Sequence, residues 1–114
     1  MLTIFIPKLK TTTPGNTRRH WRVEAKEAKA ARTTAAFYLK AGRALPKFPV
    51  NVTIIRHSPG KLDRHNMGGA MKHVIDGIAD AYGIDDGDDG WDFRFEQVKC
   101  KRDHAGIEIR IESK

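Results

Sequence analysis

Two spacings of apolar residues alternate along this chain. Leu2-Thr3-Ile4-Phe5-Ile6 is a short β-prone run ended by Pro7 and predicts a strand. Residues 8–16 form a polar loop with Pro14 and Gly15. From Thr17 to Ala41 there is no Gly or Pro, and Ala, Lys, Arg and Glu dominate. Trp21, Ala25, Ala28, Ala31, Ala35, Tyr38 and Leu39 recur there at steps of three and four, which predicts one long helix with one buried stripe. Gly42 closes it, and Pro46 and Pro49 bracket a turn. Val50 to Ile55 is β-branched and predicts a second strand. Asn66 to Tyr82 returns to helical spacing through Met67, Ala70, Met71, Val74, Ile75, Ile78 and Ala81, with Gly83 as a stop. Gly68 and Gly69 each cost that helix about 1 kcal/mol relative to Ala, so it starts late or something approaches its backbone closely. Trp91, Phe93 and Phe95 alternate with polar residues, as do Ile107, Ile109 and Ile111. These two runs predict strands joined as a hairpin with a loop near Arg102–Ala105. The expected fold is α+β, in the order β-α-β-α-β-β, with two helices on a mixed four-stranded sheet.

The chain has 114 residues, enough for one domain over 1–114 with a core that needs no staples. Hydrophobic residues at 39% and charged residues at 31% fit a folded, soluble chain rather than a disordered one. No apolar run approaches the roughly 18–20 residues of a membrane span, and the opening run is too short for a signal-peptide core. A cytoplasmic protein with no membrane partner is expected. Cys100 stands alone, which excludes an internal disulfide and a cysteine zinc cluster.

Charge changes the picture. The net charge is +7, but it is unevenly placed. Residues 1–60 hold 12 basic and 2 acidic side chains, and residues 61–114 hold 9 basic and 12 acidic. A basic half beside an acidic cluster suits a polyanion held against a cation site, and nucleic acid plus metal is the economical combination.

Four groupings carry candidate chemistry. Asp63 and His65 flank Arg64, and in an extended loop they point to one side, where they would hold a divalent ion while Asn66 caps the next helix. Asp85-Asp86-Gly87-Asp88-Asp89-Gly90 packs four carboxylates that repel unless a cation neutralises them. Asp85 to Glu96 also nearly fits a twelve-residue calcium loop, but Gly87 and Asp92 break the pattern, and a strand rather than a helix follows. Arg18, Arg22, Lys26 and Lys29 form a basic stripe, with Arg19 beside its start. Lys72 and Asp76 lie one helical turn apart. Each grouping also has a plain structural explanation: a capped helix, a solvated acidic loop, a solvated basic face and a surface i,i+4 pair.

Together the segments resemble the RusA-type family of Holliday-junction resolvases, including its phage and prophage members. That family carries D-x-D-N in a loop, K-x-x-x-D-G on the next helix and D-D in the loop after it. The matching text here is Asp63-Arg64-His65-Asn66, Lys72-His73-Val74-Ile75-Asp76-Gly77 and Asp85-Asp86. Asn16-Thr17-Arg18-Arg19-His20-Trp21-Arg22 is similar to the opening of many phage members. The resemblance covers Ile4 to Ile111 and implies a homodimeric endonuclease that cuts four-way junctions and other branched DNA with Mg²⁺ or Mn²⁺ and no small-molecule cofactor. It maps the first motif aspartate onto Asp63, the third acidic ligand onto Asp86 and the active-site lysine onto Lys72. Asp63, Lys72 and Asp86 would then be catalytic. Asp63, His65, Asp85 and Asp86 would surround the metal. Arg18, Arg19, Arg22, Lys26, Lys29, Lys61 and Arg64 would carry the DNA backbone.

One position departs from the pattern: His65 stands where the family has its second aspartate. Imidazole suits Mn²⁺, Co²⁺ or Zn²⁺ better than hard Mg²⁺. Three outcomes are open: activity with a softer metal, replacement of the lost charge by Asp85, or junction binding without cutting. A small nuclease directed at RNA is the remaining alternative.

Overall fold

The computed structural model describes residues 1–9, 21–41, 44–60 and 64–114, with side chains for all of these but 21–25, 27 and 64–70. The elements are β1 (Leu2–Pro7), α1 (Trp21–Lys40), β2 (Val50–Ser58), α2 (Arg64–Tyr82), β3 (Trp91–Lys99), one 3₁₀ turn (Arg102–His104) and β4 (Gly106–Ser113). The fold is α+β in the expected order, with a mixed four-stranded sheet and two helices. None of the described helices is long and apolar enough to cross a membrane.

The sheet order corrects the expected hairpin. The strands run β1-β4-β2-β3, so β4 lies between β1 and β2, antiparallel to both, and β3 is parallel to β2 at the edge. The α2 crossover sets β3 beside β2. β4 carries Ile107, Ile109 and Ile111, all buried, whereas β3 carries exposed Arg94 and Glu96. A strand with three buried isoleucines gains from neighbours on both sides, at about 1.5–3 kcal/mol per buried side chain. A charged strand tolerates the edge and discourages further pairing. The connection from β3 to β4 passes over the end of β2, where the Cys100 N–H donates to the Ser58 carbonyl at 3.2 Å.

The register lines apolar residues into rows. Ile4, Ile109, Ile54 and Phe95 form one row, and Leu2, Ile111, Val52 and Phe93 form the next. The helices cover this face with Ala35, Leu39, Met71, Val74 and Ile78. The alternate positions, among them Thr53, His57, Glu108, Arg110 and Arg94, make the other face. In α1 the expected stripe is buried at Ala31, Ala35 and Leu39 and half-buried at Ala28 and Tyr38.

α2 begins earlier than expected. Arg64 and His65 are already helical, so Asn66 sits inside the first turn and does not cap it, and His65 is not part of an extended segment. Gly68 and Gly69 lie within the helix. Packing of Met71, Val74 and Ile78 on the sheet offsets their propensity cost. Gly77 is buried where α2 meets α1.

Candidate active site

α2 stops abruptly, and that stop carries the acidic loop back along the helix. Gly83 has φ 67°, a left-handed conformation that suits glycine. The Gly83 N–H donates to the Asp80 carbonyl and the Ile84 N–H to the Ala79 carbonyl, both at 3.2 Å. This is the paired bonding of a Schellman cap. Beyond it three of the four loop carboxylates do different work. Asp85 Oδ1 accepts from the Gly87 N–H at 3.0 Å, and Asp88 Oδ1 accepts from the Gly90 N–H at 2.9 Å. These two hold the turns of their own loop. Asp86 instead reaches α2 and accepts from Lys72 Nζ at 3.0 Å. The same Nζ lies 3.4 Å from Asp76 Oδ1. Because residues 91–99 are a strand, the calcium-loop alternative lacks its second helix.

Sequence reasoning missed the residue that anchors this loop. Trp91 Nε1 donates to the Asp85 carbonyl at 2.8 Å. Its ring packs between Phe48 and Tyr82, with centroids at 5.0 and 5.2 Å, and stacks on Phe93. Alternation correctly marked Trp91 as a buried strand residue. Its polar edge, placed directly after the acidic run, was the available signal.

The electrostatics follow from the contacts. The hydrogen bond to Asp86, then the charge of Asp76, raise the Lys72 pKa above the ordinary lysine value. Lys72 therefore remains an ammonium at neutral pH. It can stabilise negative charge, and it cannot act as a general base there. Lys72, and to a smaller extent Asp85, hold the Asp86 carboxyl below its usual range.

Beside this cluster is a shallow concavity of about 340 Å³ lined by Arg32, Asp76, Asp80, Gly83, Asp85 and Asp86. Arg32 of α1 forks onto Asp80 of α2, with Nε and Nη2 donating at 2.6 and 2.8 Å. Neither residue was singled out from the sequence, although one further step of three along the stripe from Lys29 reaches Arg32. The Arg32 guanidinium holds the Asp80 carboxyl below its usual value. A carboxyl lowered in the folded state stabilises the fold above its ordinary pKa, about 3.9 for Asp. That contribution is lost as the pH falls through the lowered value. Melting temperatures of the parent and Asp80→Asn should therefore differ most above about pH 4 and converge at lower pH. A constant difference across the range would place the effect elsewhere.

The other candidates are distributed as follows. Lys26 and Lys29 are exposed on α1, and Lys29 lies one turn from Arg32. Arg22, Arg64 and His65 are helical by backbone, and their side chains lie outside the described set. Arg18, Arg19, Lys61 and Asp63 lie outside the described residues. The structure thus joins the K-x-x-x-D-G and D-D segments. The oxygen donors Asp76, Asp85 and Asp86 are of the class that hard divalent cations take. Among the described residues no three metal-binding groups are arranged to hold one ion. No protein-family model matches the chain, and no curated protein matches it.

Proposed function

We infer that this protein is a divalent-metal-dependent, structure-selective DNA endonuclease that hydrolyses phosphodiester bonds in Holliday junctions or related branched DNA. The observation that carries this is Lys72 Nζ at 3.0 Å from Asp86 Oδ2. Those residues are fourteen apart in sequence and belong to separate motif segments. An ammonium that is charged at neutral pH, beside a carboxylate group, suits the chemistry: the cation stabilises charge that builds on phosphate oxygens, and the carboxylates would hold a metal. Asp63, Asp86 and Asp85, with His65, would hold Mg²⁺ or Mn²⁺. When bound, such an ion supplies Lewis-acid stabilisation of the reacting phosphodiester. The basic face of α1 would carry the DNA backbone through Lys26 and Lys29. A homodimer fits this reading, because a four-way junction is two-fold symmetric and paired nicks need two matching sites.

A second reading is a protein of the same fold that binds junctions without cutting them. His65 in a motif-aspartate position favours it. The deciding experiment is a nicking assay on a synthetic four-way junction with Mg²⁺ and Mn²⁺ in parallel. Paired symmetric nicks are the expected result. Tight junction binding with no nicks in either metal would select the binding protein. Preference for hairpin RNA over junction DNA would overturn both.

A further inference from the structure

A larger concavity, of about 670 Å³, lies at the C-terminal end of β2 and shares no lining residue with the concavity beside Asp86. β1 and β2 end there and β4 begins there, with Pro7 opposite Gly106 and His57 opposite Gly106. Three cations from three separate segments meet at its wall: Lys8 just after β1, Arg56 on β2 and Arg102 on the 3₁₀ turn. Among the described residues, Asp103 is the carboxylate on that lining. His57 also lines it, but its Nε2 lies 2.9 Å from Glu108 Oε1, which engages that ring. The floor is apolar, at Ala105 and the buried Ile107.

Two features set this apart from a chance basic patch. Lys8 has φ 58°, a left-handed conformation that a lysine seldom adopts, and its N–H donates to the Ala105 carbonyl at 2.9 Å. Backbone outliers of this kind cluster at ligand sites, where the surrounding structure holds them. Arg56 is drawn partly out of water, and Nη1 donates to the Gly60 carbonyl at 2.7 Å, which fixes the guanidinium at the rim. That burial lowers its pKa from the ordinary arginine value.

The volume falls within the roughly 300–1,000 Å³ of small-molecule sites and exceeds what one phosphate fills. Three cations spread over one wall match consecutive phosphates better than a single anion. We propose that this cavity seats a nucleotide unit of a single DNA strand, its flanking phosphates on Lys8, Arg56 and Arg102 and its base on the apolar floor. That the polymer is DNA rests on the endonuclease reading. β2 ends at this cavity and begins beside the acidic loop, where the Val50 N–H donates to the Gly90 carbonyl at 3.1 Å.

The test uses the full chain and a fluorescent twelve-nucleotide single strand, titrated by anisotropy at several salt concentrations. Lys8→Gly with Arg102→Ala removes two charges, and glycine accepts the φ of residue 8. Lys101→Ala is the control, since Lys101 is exposed, carries the same charge and does not line the cavity. The double variant should bind about tenfold more weakly at 0.1 M salt, with a log–log slope shallower by about 0.7 for each phosphate that the protein no longer neutralises. The control should change affinity less than about twofold. Circular dichroism melts check that both variants fold. Unchanged affinity in the double variant, or an equal loss in the Lys101→Ala control, would overturn the proposal. Thymidine monophosphate binding as tightly as the strand would overturn the strand assignment in favour of a mononucleotide site. Junction nicking by the parent separates the two claims. If the parent nicks and the double variant binds and nicks as well as it does, the cavity proposal fails and the endonuclease reading stands. If the parent never nicks but the double variant loses strand binding, the reverse holds.

Discussion

Asp86→Asn should abolish nicking of a four-way junction while leaving the fold intact. Asp86 is one of four loop carboxylates, and its side chain is the one that accepts from Lys72. Asn has the same shape and keeps an acceptor for Lys72, but it removes the negative charge a divalent cation needs. Loss of outer partners of a metal site costs about 10–100-fold, so loss of a ligand should cost more than about 100-fold in cutting rate. The melting temperature should move little, because the Asp86 side chain is one-third exposed and its loop is held by Asp85, Asp88 and Trp91. A variant that cuts at the parent rate would reduce the Lys72–Asp86 pair to a surface clasp. The companion variant is His65→Asp. If His65 is a substituted ligand, restoring the carboxylate should raise Mg²⁺-dependent cutting relative to Mn²⁺. No change in either metal would remove His65 from the ligand set.

Gly77→Ala should destabilise the protein, although the same change in an isolated helix would stabilise it by about 1 kcal/mol. A Cβ at residue 77 would collide with the Arg32 carbonyl of α1 and come within 2.8 Å of the Ala35 Cβ. The carbonyl is backbone and the methyl is a buried core atom, so neither gives way cheaply. The helices must separate. Overpacking of this kind costs about 1–3 kcal/mol, which for a domain of this size lowers the melting temperature by roughly 5–15 °C. Separation would also pull Arg32 away from Asp80, since that fork spans the same two helices. Gly87→Ala is the contrast: its Cβ would meet only Asp85 Oδ1 at 3.7 Å, an ordinary contact, and stability should stay within about 0.5 kcal/mol. A melting temperature that rises in Gly77→Ala would refute the close helix contact.

Gly77 also explains part of the K-x-x-x-D-G segment in physical terms. Lys72 and Asp76 face outward and pair, while the next residue turns inward and must be the smallest one. Chemistry and packing thus share one short segment, which is why it is distinctive as text. The D-D segment divides in the same way. Asp85 folds its own loop and Asp86 serves the cluster, a division that identical residue types conceal.

What the chain determines locally was legible from spacing alone. Period-two and period-3.6 patterns depend on which side of a strand or helix a residue occupies, and neighbours in sequence set that. The four strands, the two helices, the Gly83 stop and the buried positions Ala35, Leu39, Val74, Ile78, Ile107, Ile109 and Ile111 therefore follow from the residues. Tertiary structure decided the rest. β4 left β3 for the slot between β1 and β2 because burial of three isoleucines there outweighs the short path of a hairpin. α2 extended back to Arg64 because three turns of core packing offset two glycines. Arg32 met Asp80, Lys72 met Asp86, and Lys8, Arg56 and Arg102 met at one cavity, although sequence separates them by 48, 14 and up to 94 positions. Contacts between distant segments depend on where whole elements dock, and docking is set by the fit of their buried faces rather than by any local pattern.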